Sequence, residues 1–302
     1  MKTFCRLRDQ WGDHQELRCA GGFVLMGCLL AVCLNIRWPA MAFAQNRPRL
    51  ATEDNLLSDV VAAVESVAGE GKVLTFDRGA AQIAAGGHFQ GIQARYDAAA
   101  NRQVVFLSHD SATVAYLAIV EFAPDFNGDG RLAHLHQFPS DGALPPLRHA
   151  GGIQLLGDIL VVGLEDNQQK TRSEIQFWDT SALGHLAPLR HLTIRRHGEP
   201  KAKTAGAVGI IERMGDCLLA VANWDSRAID FYLSNGKPLK DADCRFELSA
   251  SWQVEKADRA DWRPDAEFST YQSVNLVSNA NRDVFLAGFD TTAAGRDYVD
   301  LF

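Results

Sequence analysis

The 302-residue chain has no long block of one charge, little helical periodicity and none of the short motifs that announce common chemistries. G-x-S-x-G, the phosphate-cradling glycine loop, H-E-x-x-H and C-x-x-C are all absent, which removes the most recognisable nucleophile, nucleotide and zinc arrangements. Basic residues are outnumbered: Lys and Arg total 30 against 37 Asp and Glu, a net charge of −7. A broad nucleic-acid footprint, which needs a basic surface, is therefore not expected. At 47% hydrophobic and 22% charged the chain is too apolar to stay unfolded.

Four of the six cysteines (Cys5, Cys19, Cys28 and Cys33) lie in a segment that reads as a secretory leader. A polar start with Lys2, Arg6, Arg8 and Arg18 precedes an apolar run from Ala20 to Ile36 and the small-x-small site Ala42-Phe43-Ala44. Residues 1–44 are thus expected to be removed, leaving Gln45 as the mature N-terminus. The apolar run holds two glycines and is closed by Arg37 and Pro39, so no stable membrane span is expected after cleavage. The protein is expected to be periplasmic or secreted, where Cys217 and Cys244 could form a disulfide.

What the sequence does have is an internal repeat. A small-aliphatic-polar step recurs as Gly91-Ile92-Gln93, Gly152-Ile153-Gln154, Ala207-Val208-Gly209 and Ser273-Val274-Asn275, at spacings of 61, 55 and 66 residues. The first two copies share the longer form His-x-x-Gly-Ile-Gln, from His88 and His149. Each step is followed by a second apolar run ending near an aspartate: His109-Asp110, Glu165-Asp166, Trp224-Asp225 and Phe289-Asp290. A third run follows in every copy and a fourth in the first three, as at Leu189 to Ile194. Short apolar runs separated by Gly, Asn and Asp turns are strands in hairpins.

Four strands in about 60 residues, repeated, resemble the blades of the β-propeller superfamily, particularly exported bacterial members with long irregular blades. Trp178-Asp179 and Trp224-Asp225 do not make this a WD40 protein, since they fall at different places in their copies and the period exceeds ~45 residues. The expected fold is all-β, a propeller of four-stranded antiparallel blades over residues 80–302. Residues 45–79 precede it, with a helix from Glu53 to Val67 capped by Thr52 and an isolated strand from Lys72 to Phe76. That strand could supply the missing fourth strand of the last copy and close a four-bladed ring. Because Phe302 ends an apolar run, the balance falls instead to a longer ring of which four blades are visible.

Strands in a blade alternate in direction, so His88 and His149 should share one face of the disc with Asp110, Asp166, Asp225 and Asp290. An aspartate in every copy is better explained by turn formation than by catalysis, because a catalytic group is needed once. The preceding position varies (His109, Glu165, Trp224, Phe289), and variation on a repeated frame is where a site is grafted. His88, His149, His109 and Glu165 are the candidates for acid-base work or a metal site. Trp224 and Phe289 could serve as platforms, and Arg195 and Arg196 could meet an anion. Asp125, Asn127 and Asp129, followed by Gly130, have the spacing of the first half of a calcium loop, but no bidentate carboxylate follows.

Two functions fit. The first is a non-enzymatic ligand-binding or protein-interaction module for a small molecule, glycan or protein. The alternative is a hydrolase or lyase with its site at the channel mouth.

Overall fold

The computed structural model describes residues 7–8, 18–19, 56–67, 72–79, 87–138, 146–254, 270–291 and 297–302. Most of the expected leader lies outside them. Among the described residues no helix is long and apolar enough to cross a membrane.

The architecture is a succession of antiparallel units in chain order. The first unit comprises Phe89–Asp97, Arg102–His109, Tyr116–Phe122 and Gly130–Gln137. Its second strand is buried on both faces, as the unbroken apolar run around Phe106 requires. The second unit has His149–Leu156, Ile159–Glu165 and Arg172–Asp179. The third has Ala207–Arg213, Asp216–Ala222, Ala228–Ser234 and Phe246–Gln253, and the fourth has Ser273–Asn279, Val284–Thr291 and Asp297–Leu301.

Only the first and third units therefore show the expected four antiparallel strands. In the second, the run expected from Leu189 to Ile194 is broken. Ala187–Pro188 and Ile194–His197 each pair with Arg172–Asp179, and a single helical turn, Arg190–Leu192, lies between them. Pro188 has no N–H to extend the ladder, and Leu192 turns into the core instead.

The repeated step lies at the axis. Gln154, almost wholly buried, ties its own first strand to two others: its amide donates to Leu276 O at 2.8 Å, and its oxygen accepts from Ile210 N and Leu276 N, each at 2.8 Å. Gln93 donates to Asn275 Oδ1 at 3.3 Å, linking the first unit to the fourth. These bonds leave the small residues of the step no room to grow. A Cβ on Gly152 would sit 2.9 Å from Ala207 Cβ and 3.0 Å from Ser273 Cα. The axis is packed and hydrogen-bonded.

Three apolar clusters fill the seams between successive units. One joins Phe106 and Leu117 to Ile153 and Trp178, the next Ile175 and Phe177 to Ile210 and Leu219, and the third Ile211 and Ala220 to Val274 and Leu276. The outer face of the fourth unit packs against a helix through Val60, Val64 and Ala287.

That helix differs from expectation. It spans Val60–Glu65 and is capped by Asp59, whose side chain accepts from Ala62 N at 3.0 Å, while Leu56–Leu57 forms a short strand parallel to Ser273–Asn279. A capping aspartate three residues before the helical N–H it satisfies sets the start later than Thr52 would. The strand Lys72–Asp77 does not complete the last unit. It runs parallel to Gly130–Gln137 in the first, with Phe76 opposite Gly130, and is flanked by Leu7–Arg8 and Arg18–Cys19.

Candidate functional site

Strand register changes which residues correspond between copies. The aliphatic residue of each step faces a fixed partner: Ile92 opposite Leu107, Ile153 opposite Val162, Val208 opposite Val221 and Val274 opposite Gly288. Three residues beyond these partners stand Asp110, Glu165, Trp224 and Thr291. Four residues before the aliphatic residue stand His88, His149, Thr204 and Thr270. Asp110 therefore corresponds to Glu165, and His109 to Leu164. Against the second and third copies the expected alignment was one residue out in the first and two in the fourth, and the four aspartates occupy three different register positions.

With that correction, the two positions pair in three copies. His88 Nδ1 lies 3.2 Å from Asp110 Oδ1, and His149 Nδ1 lies 2.9 Å from Glu165 Oε1. In the third copy Trp224 N donates to Thr204 Oγ1 at 2.6 Å.

The two histidine pairs differ in setting. His88 is half-exposed, with a side chain at 52%, and its Nε2 meets the Gln90 amide at 2.6 Å. Asp110 also accepts from His88 N at 2.6 Å. The turn that brings them together depends on Gly87, in the left-handed region at φ 86°, where a Cβ would collide with Asp110 O at 2.1 Å. The Asp110 hydrogen bond raises the His88 pKa above the ordinary histidine value, outweighing the opposing effect of burial. Burial pushes Asp110 up, but its bonds to His88 and the charges of His88 and His149 leave it below the usual carboxylate range.

His149 and Glu165 are buried, with side chains at 8% and 0%. Glu165 uses its second oxygen to accept from Ala205 N at 2.7 Å, so it anchors a loop of the third unit, while its first oxygen stands beside the imidazole without a hydrogen bond.

Trp224 lies beside them. The His149 ring centroid is 5.3 Å from the indole, tilted by 44°, and Lys170 Nζ sits 3.9 Å from the indole centroid, within cation–π range. Lys170 and Lys201 both take left-handed backbone conformations, φ 58° and 69°, at neighbouring loop tips joined by Lys201 N donating to Lys170 O at 2.6 Å. Strained, charged loop tips beside an aromatic side chain are a pattern of functional sites. Lys201 Nζ also approaches Asp225 at 3.5 Å. Asp166, by contrast, is fully buried and accepts from Gln168 N and Gln169 N at 2.9 and 2.8 Å, holding the Lys170 hairpin.

The other expected site residues lie elsewhere. His109, 4% exposed, stacks on Tyr116 at 4.6 Å and meets Phe89 edge-on at 4.8 Å, away from the His149 pair; burial pushes its pKa down to about 4. Phe289 packs among Val60, Val64 and Ala287. Arg196 is buried and spent on Asp230 and Thr204 O, each at 2.7 Å, whereas Arg195 is exposed and paired with Glu174 at 3.2 Å.

In the Asp125 loop, Lys72 Nζ donates to Phe126 O at 2.7 Å and to Asn127 Oδ1 at 3.0 Å, and Asp129 accepts from the Thr75 hydroxyl. A lysine ammonium thus occupies Asn127 Oδ1, one of the side-chain oxygens a calcium ion would need. Among the described residues, no group of three or more His, Cys, Asp or Glu could hold a metal ion. Cys217 and Cys244 are buried free thiols in one apolar cluster.

Lys170 was missed by the sequence reading. Its only signal is a Gln-Gln-Lys hairpin tip, which resembles any solvated turn.

No family model matches the chain, and no curated protein matches it. Among solved structures it is similar to a subtype N11 neuraminidase-like protein of A/flat-faced bat/Peru/033/2010 (H18N11), with 10% identity and a TM-score of 0.34 over 67% of this chain and 56% of that one. The chain spans about half the length of that protein. It is also similar to a GH43_1 enzyme from Xanthomonas citri, with 10% identity and a TM-score of 0.26 over 71% of this chain and 87% of that one. These likenesses carry no argument about chemistry. The order of the strands does define a class: successive antiparallel units whose first strands meet at a common axis are the architecture of a β-propeller.

Proposed function

We propose that this is an exported β-propeller with four visible blades, acting as a binding module for an anionic group at the mouth formed by His88, His149, Lys170, Lys201 and Trp224. The observation that carries the reading is the sorting of charge. On a chain of net charge −7, Asp110, Glu165 and Asp166 at this mouth are turned inward onto backbone N–H groups and Asp225 is met by Lys201 at 3.5 Å, while His88 faces solvent and Lys170 lies over the indole. Two lysines on strained tips beside an indole suit a carboxylate or phosphate attached to a planar or apolar body. The ligand is then a small molecule, an acidic glycan end or an acidic protein side chain.

Protein recovered from the periplasmic or culture fraction should begin at Gln45. Titrated calorimetrically with galacturonate oligomers and a phenyl phosphate probe, it should bind at least one of them, weaken with salt, and lose at least about tenfold in affinity in Lys170→Ala. Equal binding of uncharged analogues, or no effect of Lys170→Ala, sinks the reading. A hydrolase or lyase is the second reading because Glu165 Oε1 lies 2.9 Å from His149 Nδ1, close enough to orient the imidazole of a general base. Turnover of a bound probe that disappears in His149→Ala would favour it.

A further inference from the structure

On the seam between the first and second units lies a cavity of about 520 Å³, lined by Arg95, Arg102, Arg131, Glu121, Asp158 and Gly184 among others. None of these residues belongs to the mouth. Its charges are internally matched: Arg95 pairs with Asp158 at 2.7 Å, Arg102 with Asp97 at 3.1 Å and with Glu121 at 2.6 Å, and Arg131 with Glu121 at 2.6 Å. Three guanidinium groups face three carboxylates. A charged ligand would have to break one of these pairs, whereas hydroxyl groups can share hydrogen bonds with both members of each.

Behind the cavity lies the apolar cluster that contains Trp178 and Phe138, against which Leu183 of the lining packs. Ala133 and Gly184, both in the cavity lining, are followed in the chain by His134 and His185. His136 projects from the same strand face as His134, since they stand opposite Leu117 and Ile119. Its ring meets Trp178 of the second unit at 4.4 Å, edge to face, and Phe138 at 5.4 Å. Burial, with His134 and His185 adding to it, pushes the His136 pKa down to about 4, so this imidazole is neutral near pH 7.

Three buried polar atoms here have no hydrogen-bond partner: His136 Nε2, Trp178 Nε1 and Gln176 Oε1. Trp178 is 3% and Gln176 9% exposed, and they lie two residues apart on one strand, so both side chains project from the same face. The Gln176 amide nitrogen is fixed by donation to Glu174 Oε2 at 2.9 Å, which leaves its oxygen as the free acceptor. Buried polar groups are ordinarily satisfied, so three in one seam call for a partner. They comprise a donor, an acceptor and a neutral imidazole nitrogen that can be either, beside aromatic edges. Adjacent hydroxyls on a carbon ring match that set, because each hydroxyl both donates and accepts.

We infer that this seam is a second binding site, for a neutral polyhydroxylated ligand of the carbohydrate class, with His136, Trp178 and Gln176 at its inner end and the Arg102–Glu121–Arg131 network at its rim. It is independent of the anion-binding mouth.

The test is fluorescence and calorimetric titration of the exported chain with maltose, cellobiose and xylobiose. At least one sugar should bind saturably and without salt dependence. Gln176→Leu and His136→Phe should each weaken that binding at least about tenfold, while Lys170→Ala leaves it within about twofold. Thermal melts establish that each variant is folded, and if Gln176→Leu is not, Arg131→Ala at the exposed rim decides, with the same loss expected. No saturable binding of any of the three sugars means that water alone meets these groups, and overturns the inference. Binding that survives the seam substitutions, or that falls with Lys170→Ala, also overturns it.

Discussion

The first and second units carry the same pair, a histidine and a carboxylate at matching register positions, in opposite surroundings. His88 with Asp110 is half in water, and His149 with Glu165 is sealed beneath Trp224 and the loop at Ala205. The difference lies in the next unit round the axis: Ala205 N and Trp224 both come from the third unit and close over the second pair. One sequence frame thus yields a solvated contact in one copy and a structural anchor in the next, and its neighbours decide which.

The sharpest way to break that comparison is to remove the buried carboxylate. Glu165→Leu leaves the buried Ala205 N without its charged acceptor and removes the carboxylate beside His149, and stranding a buried donor costs about 3 kcal/mol. Chemical denaturation should show that loss. A loss below about 1 kcal/mol would mean that the pair is not shielded from water as the structure has it.

A second contrast sits one residue earlier, where the first unit has His109 and the second has Leu164. Burial against Phe89 and Tyr116 pushes His109 down to about 4, against about 6.5 in an unfolded chain. The unfolded state therefore binds a proton that the folded state refuses, and stability falls as pH drops from about 6.5 toward 4. The full effect is about 3 kcal/mol. His109→Phe, which gives the first unit an apolar residue like Leu164, should flatten this part of the stability–pH curve. An unchanged curve would place the acid sensitivity in another group.

These contrasts also mark how far the sequence could be read. The repeated step was legible because Gly91, Gly152, Ala207 and Ser273 must be small where first strands crowd at the axis, a constraint that writes itself into every copy. The turn aspartates were visible for the same kind of reason. Register was not legible, because the ladder shifts between Phe89 and Ile92 and between Val162 and Leu164. A bulge adds a residue to one strand without changing its apolar pattern. The same bulge in both units sets His88 against Asp110 rather than Ser111 and His149 against Glu165 rather than Asp166, and His109 falls outside the site because the aspartate stands one residue later along the second strand in the second copy. Nor could the sequence show that Lys170 would lie over Trp224, since the two meet across separate units.

The smallest expected effect belongs to the solvated pair, and it separates the two settings by pH. Asp110 raises the His88 pKa, so the pair contributes fully below about 6.5, the unfolded value, and its contribution disappears as pH rises through the higher folded value. Exposure keeps the contribution under about 1 kcal/mol. Asp110→Ala should therefore destabilise the protein slightly at pH 5 and less at pH 8, while the His88 titration followed by proton NMR moves down toward the ordinary histidine value. A loss as large as that of Glu165→Leu would instead show that both pairs are anchors, and that the difference in exposure has no energetic meaning.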